Sequence, residues 1–194
     1  MKKFLMLPLL MVMLFQVAPA SAWSVTTHYE IADEAYSSLS PSVQANLSEI
    51  AMRDGADDPD VKFRDFQNHH MPYSAIKAQY WLNNGKLNYD EGNYRYASYC
   101  FGVASHYISD SFCAPHTVNG ASKVDHTIYE VEGMFLEPHA TYESGDMNTL
   151  LQQGQAEGEV SWTNWNQNNS DVYIQSDLDN AASATYSLIS EYAT

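Results

Sequence analysis

Apolar residues recur at helical intervals along most of the chain, and the alternating pattern of half-buried strands is almost absent. Thr27 and Glu30 stand at the spacing of a capping box, and Ile31, Ala35 and Leu39 repeat every four residues behind them. Ser40-Pro41 predicts the start of a second helix with Val43, Leu47 and Ile50 on its inner face. Residues 53–70 carry Gly55, Pro59 and many charges and read as a long loop. A third helix is predicted over about 73–83, followed by a break at Glu91-Gly92-Asn93. A strong helix then runs to about Ser111, with Ala97, Cys100, Phe101, Ala104 and Ile108 apolar. Pro115 and Gly120 interrupt before another helix over about 122–136. Residues 148–155 suggest a short helix and 162–171 an Asn-rich loop. Residues 177–192 predict a closing helix, in which Thr185 is the polar exception on a face of Leu178, Ala181, Ala182, Leu188 and Ile189. No repeat or linker divides the chain, so the expected fold class is all-α, a compact multi-helix single domain.

The first residues follow a different pattern. Met1-Lys2-Lys3 is a cationic start, residues 4–17 are almost wholly apolar, and Ala20-Ser21-Ala22 supplies a small-residue cleavage site. The apolar run is shorter than the ~20 residues of a spanning helix. Residues 1–22 are therefore expected to be a signal peptide removed on export, leaving a secreted mature chain of residues 23–194. Its location would be extracellular, or periplasmic if the source has an outer membrane. No later segment is long and apolar enough to span a bilayer.

Composition narrows the function. Of 194 residues, nine are Lys or Arg and 24 are Asp or Glu; once Lys2 and Lys3 leave with the signal, the balance is −17. A protein held to nucleic acid by a basic surface collects the opposite charge, so no stable nucleic-acid partner is expected. Apolar residues at 45% and aromatics at 13% exclude a disordered acidic chain. Cys100 and Cys113 permit at most one disulfide; on one continuous helix, thirteen steps of about 1.5 Å would hold them roughly 20 Å apart, so buried thiols are expected.

Seven histidines remain in the mature chain. His106-x-x-x-Asp110 and His126-x-x-x-Glu130 each place an imidazole and a carboxylate one helical turn apart on the same face. His116 falls between the two pairs, and His28 and His69 lie upstream. One such pair is commonly a surface salt bridge; two, joined through a further His, suit a borderline cation such as zinc. Asp110 lies between the halves of the constellation, where a carboxylate can bridge two cations. Water between close cations becomes nucleophilic while the cations steady phosphoryl oxygens, the requirement of phosphodiester hydrolysis. His70 adjoins His69 and either could be the ligand, while His139 follows Pro138 and reads as a surface residue.

The stretch from His106 to Asn119, reading His-Tyr, then Asp110, Pro115, His116 and Asn119, resembles the signature of the zinc-dependent phospholipase C family, whose wider group includes single-strand zinc nucleases. Glu91-Gly92-Asn93-Tyr94 with Ala97 resembles the approach to that helix, and the resemblance runs over about residues 23–135. It implies three zinc ions. The first would take His69, His106 and Asp110; the second would share Asp110 and take His28 with the free amino and carbonyl groups of Trp23; the third would take His116, His126 and Glu130. Asp60 would orient or deprotonate the attacking water, and Phe66 would be the aromatic of the substrate pocket. Glu130 favours phospholipases, since the nucleases usually carry Asp there. Thr26 and Val61 stand where choline-preferring members carry an acid and a Tyr, and Ser109 stands in place of Gly or Thr. Tyr107, like Phe66, could wall the cleft. The expected function is a secreted zinc phospholipase C hydrolysing the glycerol–phosphate bond of phospholipids at a membrane or micelle surface. The alternatives are a zinc nuclease or nucleotidase on the same site and a non-catalytic zinc-binding helical protein. The sequence leaves the oligomeric state open.

Overall fold

The computed structural model describes residues 23–194, so the signal peptide expected over residues 1–22 lies outside the described residues. These fold as helices α1 (Val25–Ser38), α2 (Pro41–Gln44), α3 (Glu49–Ala56), a π-helical turn (Pro59–Phe63), α4 (Tyr73–Asp90), α5 (Tyr94–Asp110), α6 (Ala114–Thr117), α7 (Lys123–Gly133), α8 (Met147–Asn168) and α9 (Asp171–Tyr192), with no strand among them. One core runs through the molecule from Trp23 to Ala193. The all-α class expected from the periodicity is the class observed.

Local chemistry shifts several boundaries. Ser24, not Thr27, caps α1: its hydroxyl accepts from the Thr27 amide at 3.2 Å, and Thr27 is buried inside the first turn. Ser40 and Pro41 start α2 as expected, but that helix ends after one turn. The Ser48 amide donates to Ser98 Oγ on α5 at 2.8 Å and the Ser48 hydroxyl caps a new helix, α3. The rotation this introduces turns Ile50 to solvent and Ala51, Met52, Gly55 and Ala56 inward. The stretch 53–70 is not the uniform loop expected; it holds the end of α3 and the π-helical turn, which closes on Arg64 in the left-handed region at φ 53°. Helix α4 passes Asn83-Asn84 and continues to Asp90, because Gly85 lies against the Phe101 ring where any side chain would clash.

The last third departs most. The Asn-rich stretch expected as a loop is helical to Asn168: Asn166 and Asn168 donate to the carbonyls of Trp162 and Asn164 at 2.8 and 3.1 Å, while Trp165 is buried against Tyr129. Helix α9 starts at Asp171 rather than near Asp177. Asp177 is instead a buried junction, accepting from Tyr129 Oη at 2.8 Å and Ser161 Oγ at 2.6 Å, which ties α7, α8 and α9 together. Burial raises its carboxyl to about 7 against the two hydroxyl donors. Cys100 and Cys113 are buried free thiols, as expected.

Helix α5 is the axis of the fold. It packs against α1, α3, α4 and α9, and from Ala97 to Asp110 every residue except Tyr99 is buried. Its approach to α3 depends on two glycines. A Cβ on Gly102 would stand 2.0 Å from Met52 O, and one on Gly55 would stand 2.3 Å from Tyr99 O. The helices therefore touch backbone to backbone, one turn before His106 on α5 and at the end of α3 that carries Ala56. Gly102→Ala is expected to push them apart at a cost of about 3 kcal/mol or more, seen as a lower denaturation midpoint. A variant as stable as the parent would show that the contact can relax freely.

Candidate metal centre

Near its C-terminal end α5 carries His106, Ser109 and Asp110, all fully buried. His106 Nδ1 donates to the Ala56 carbonyl of α3 at 2.7 Å, the bond that the glycine contact makes reachable. The ring's proton is thereby placed on Nδ1, and Nε2 carries a bare lone pair. His28, from α1, is fixed in the same way. Ser109 Oγ donates to the His106 carbonyl at 2.9 Å and so accepts from His28 Nδ1 at 3.1 Å. His28 Nε2 then faces Asp110 Oδ1 at 3.5 Å and His106 Nε2 faces Asp110 Oδ2 at 3.4 Å, both without a hydrogen-bonding partner. The two rings stack at 3.9 Å between centroids.

His69 completes this half. Its Nδ1 lies 2.8 Å from Asp110 Oδ2 and its Nε2 lies 3.5 Å from Asp60 Oδ1. Asp60, on the π-helical turn, also faces His106 Nε2 at 4.0 Å. Two overlapping triads result, His28–His106–Asp110 and Asp60–His69–His106, with ligand atoms in each within 4.8 Å of one another. Burial, then the His69 charge, lowers His28 to about 3, and burial drives His106 well below the usual imidazole range. His69 is the exception: against its burial, the Asp110 and Asp60 carboxylates raise it to about 9. Burial raises Asp110 to about 6 despite His69.

The second half joins the first through a peptide group. His116, on α6, donates from Nδ1 to the His69 carbonyl at 3.2 Å, which frees its Nε2 to face His126 Nε2 at 3.1 Å. His126 Nε2 is in turn 2.7 Å from Glu130 Oε1 one turn along α7. Three ligand atoms thus converge where two facing ring nitrogens would otherwise compete for one proton. Burial lowers His116 well below its ordinary value and raises Glu130 to about 7. His70 sits outside both groups: its Nδ1 donates to the His116 carbonyl at 3.0 Å and its ring packs on His116. Of the two adjacent histidines, His69 faces the carboxylates and His70 supports a neighbour.

The other expected residues fall as follows. Trp23 is fully buried over Tyr129 and Gly133, and its indole Nε1 donates to the Ser109 carbonyl at 3.1 Å, one residue from Asp110. Phe66 is partly exposed at 6.3 Å from the His69 ring, at the edge of the site. Tyr107 is buried with its hydroxyl on Asp65 Oδ2 at 2.9 Å. His139 is exposed beside Asp179 and takes no part. Four contributions to the site escaped the sequence. Ser109 holds a ring; the Ala56 and His69 carbonyls hold two more; and buried Cys113 brings its Sγ within 4.8 Å of ligand atoms on His116 and Glu130. Only Cys113 left a signal, its place three residues before His116.

Bare imidazole nitrogens aimed at buried carboxylates, their other nitrogens held by carbonyl and hydroxyl acceptors, fit a borderline dication of the zinc type. Neutral ring nitrogens and carboxylate oxygens are the donor set zinc prefers, and burial without a cation would leave them unsatisfied. A family model for zinc dependent phospholipase C matches residues 27–189. The chain belongs to the zinc-dependent phospholipase C family. All the clustered histidines and carboxylates lie inside the matched segment, and Trp23 lies before it. A comparison with curated proteins finds no match. The family brings a zinc phospholipase C-type function and an all-α domain, in agreement with the helices and the His and Asp clusters observed.

Ser109→Ala would remove the acceptor that orients His28 while leaving every candidate ligand in place. Zinc affinity, measured by competition with a chromophoric chelator, is expected to fall about 10- to 100-fold with helix content unchanged. An affinity within twofold of the parent would contradict the orienting role.

Proposed function

We propose that the protein is a secreted zinc phosphodiesterase, most consistent with a phospholipase C that hydrolyses the glycerol–phosphate bond of phospholipids. The observation that carries this reading is the convergence of bare Nε2 atoms and buried carboxylates in a family of zinc phospholipases, with Asp60 at the rim of the cluster. Three zinc ions would be held: one by His69, His106 and Asp110, one by His28, Asp110 and the amino and carbonyl groups of Trp23, and one by His116, His126 and Glu130. When bound, zinc supplies positive charge that acidifies water and steadies phosphoryl oxygens. Removal of a signal peptide after Ala22 would give Trp23 a free α-amine, whose ordinary pKa of roughly 7.7–8 lets a cation displace its proton near neutrality. The indole on the Ser109 carbonyl supports that role, because it holds Trp23 beside Asp110.

The residues of the chain then divide the work. Asp60 takes the proton of the attacking water on a carboxylate oxygen as the new oxygen–phosphorus bond forms. The bond from phosphorus to the glycerol oxygen breaks, the electron pair stays with that oxygen, and a proton from solvent completes diacylglycerol. His28, His106 and His116 stay neutral and keep their orientation through Ser109, Ala56 and His69. Phe66 packs against the substrate at the mouth. Thr26 and Val61 offer neither an acid nor a phenol to a choline group, so the headgroup is expected to be held mainly through its phosphate.

Asp60→Asn in the processed protein is expected to keep its zinc and lower diacylglycerol release from phosphatidylcholine by at least about 100-fold. Chelation should abolish release in the parent and added zinc should restore it. Cleavage of single-stranded nucleic acid with no lipid hydrolysis would replace the lipid reading with the nuclease one. Unchanged turnover in Asp60→Asn would remove Asp60 from its role.

A further inference from the structure

Beside the cluster the surface changes character. A groove of about 540 Å³ runs between the π-helical turn and α4, walled by Phe63, Ile76, Tyr80 and Trp81 with Tyr107 at its inner end. Phe63 stacks on Trp81 at 5.8 Å, and Trp81 meets Tyr99 edge-on at 6.1 Å, which leads into a neighbouring recess of about 420 Å³ lined by Lys62, Arg95, Tyr96 and Tyr99. These side chains are not covered by the fold: Ile76 is 62% exposed, Tyr80 59% and Val61 53%. Isolated apolar side chains on a surface are ordinary, but a contiguous stripe of this kind marks a contact with something outside the chain.

Charge identifies what that contact is. Seven Lys and Arg residues lie in residues 23–194 of an acidic chain, and four of them, Lys62, Arg64, Lys77 and Arg95, line these two hollows. Asp65 and Asp54 line the same hollows; Lys62 and Lys77 pair with Asp58 and Asp65, whereas Arg64 and Arg95 make no ion pair among the described residues. Exposed aromatics and aliphatics interleaved with long cationic side chains suit the boundary layer of a bilayer, where rings enter the acyl edge and guanidinium groups reach phosphates. The groove abuts the candidate site across one buried ring: that of Tyr107 lies 5.4 Å from the ring of His106 and 6.1 Å from that of His69.

We propose that this stripe, from Val61 and Phe63 across Ile76 and Tyr80 to Tyr96, is the surface by which the protein docks on a phospholipid bilayer, with Arg64 and Arg95 on lipid phosphates. It rests on the phospholipase reading and adds to it how substrate is reached: the protein settles with its candidate metal centre beside the membrane. Binding to the bilayer comes from these exposed side chains and not from the cation site.

Co-sedimentation of zinc-loaded protein with vesicles of phosphatidylcholine containing a minority of phosphatidylglycerol tests the docking. Ile76→Ser/Tyr80→Ser is expected to weaken partition at least about tenfold, Arg64→Glu/Arg95→Glu to weaken it in a salt-dependent way, and Val160→Ser/Val172→Ser, exposed on α8 and α9, to leave it unchanged. Equal partition of Ile76→Ser/Tyr80→Ser and the parent would overturn the proposal. So would equal losses in the Val160→Ser/Val172→Ser control, or conversion of a dimer to a monomer by Ile76→Ser/Tyr80→Ser with partition intact, which would make the stripe a self-association surface. Hydrolysis of monomeric dihexanoyl-phosphatidylcholine needs no interface. Its absence alongside stripe-dependent partition would fail the hydrolase reading alone, and its presence without partition would fail the docking alone.

Discussion

The centre depends on which nitrogen of each buried imidazole carries the proton. An isolated histidine divides its proton between two tautomers of similar energy, and a buried one is fixed by whichever acceptor the fold supplies. Here the Ala56 carbonyl takes the Nδ1 proton of His106, Ser109 Oγ that of His28, and the His69 carbonyl that of His116. Each acceptor belongs to a different element, so the orientation of the site is a property of the packing of α1, α3 and α5 and the segment around His69. The backbone contact at Gly55 and Gly102 matters for that reason: it sets the distance at which the end of α3 meets His106.

The same arrangement is electrostatically demanding. Stacked neutral rings and buried carboxylates face one another, and His69 gains enough from Asp110 and Asp60 to hold a proton in the interior. Dications would resolve the conflict by neutralising the carboxylates and occupying the bare nitrogens at once, so cation affinity and folding energy are linked. Elsewhere the chain is strongly acidic, and its few basic residues gather on the aromatic stripe next to the site.

Much of this could be read in the sequence because it is local. The pairs His106 with Asp110 and His126 with Glu130 repeat at one helical turn, and helix geometry alone puts both members on one side. The helix from Tyr94 to Asp110 was equally plain, with its apolar positions bounded by Gly92 and Pro115. What stayed hidden is relational. Backbone carbonyls carry no sequence signature, so nothing announced Ala56 or His69 as acceptors, and Ser109 read as an ordinary departure from the family pattern. His70 could be told from His69 only once the His116 carbonyl was in place beside it. Helix lengths failed where tertiary contacts override propensity: Trp165 packed on Tyr129 carries α8 through a run of Asn residues, and the Ser48 amide bonded to Ser98 breaks one predicted helix in two.

If the packing fixes the ring tautomers before any cation arrives, the site is preorganised; if it does not, cations must build it. Burial keeps His28, His106 and His116 neutral at pH 7, so each carries a single ring proton whose position can be observed. Long-range 15N–1H correlation spectra of chelator-treated protein at neutral pH should show Nδ1–H with a bare Nε2 for all three. Predominant Nε2–H signals from His28 and His106 in protein that retains its helix content would contradict a preformed centre.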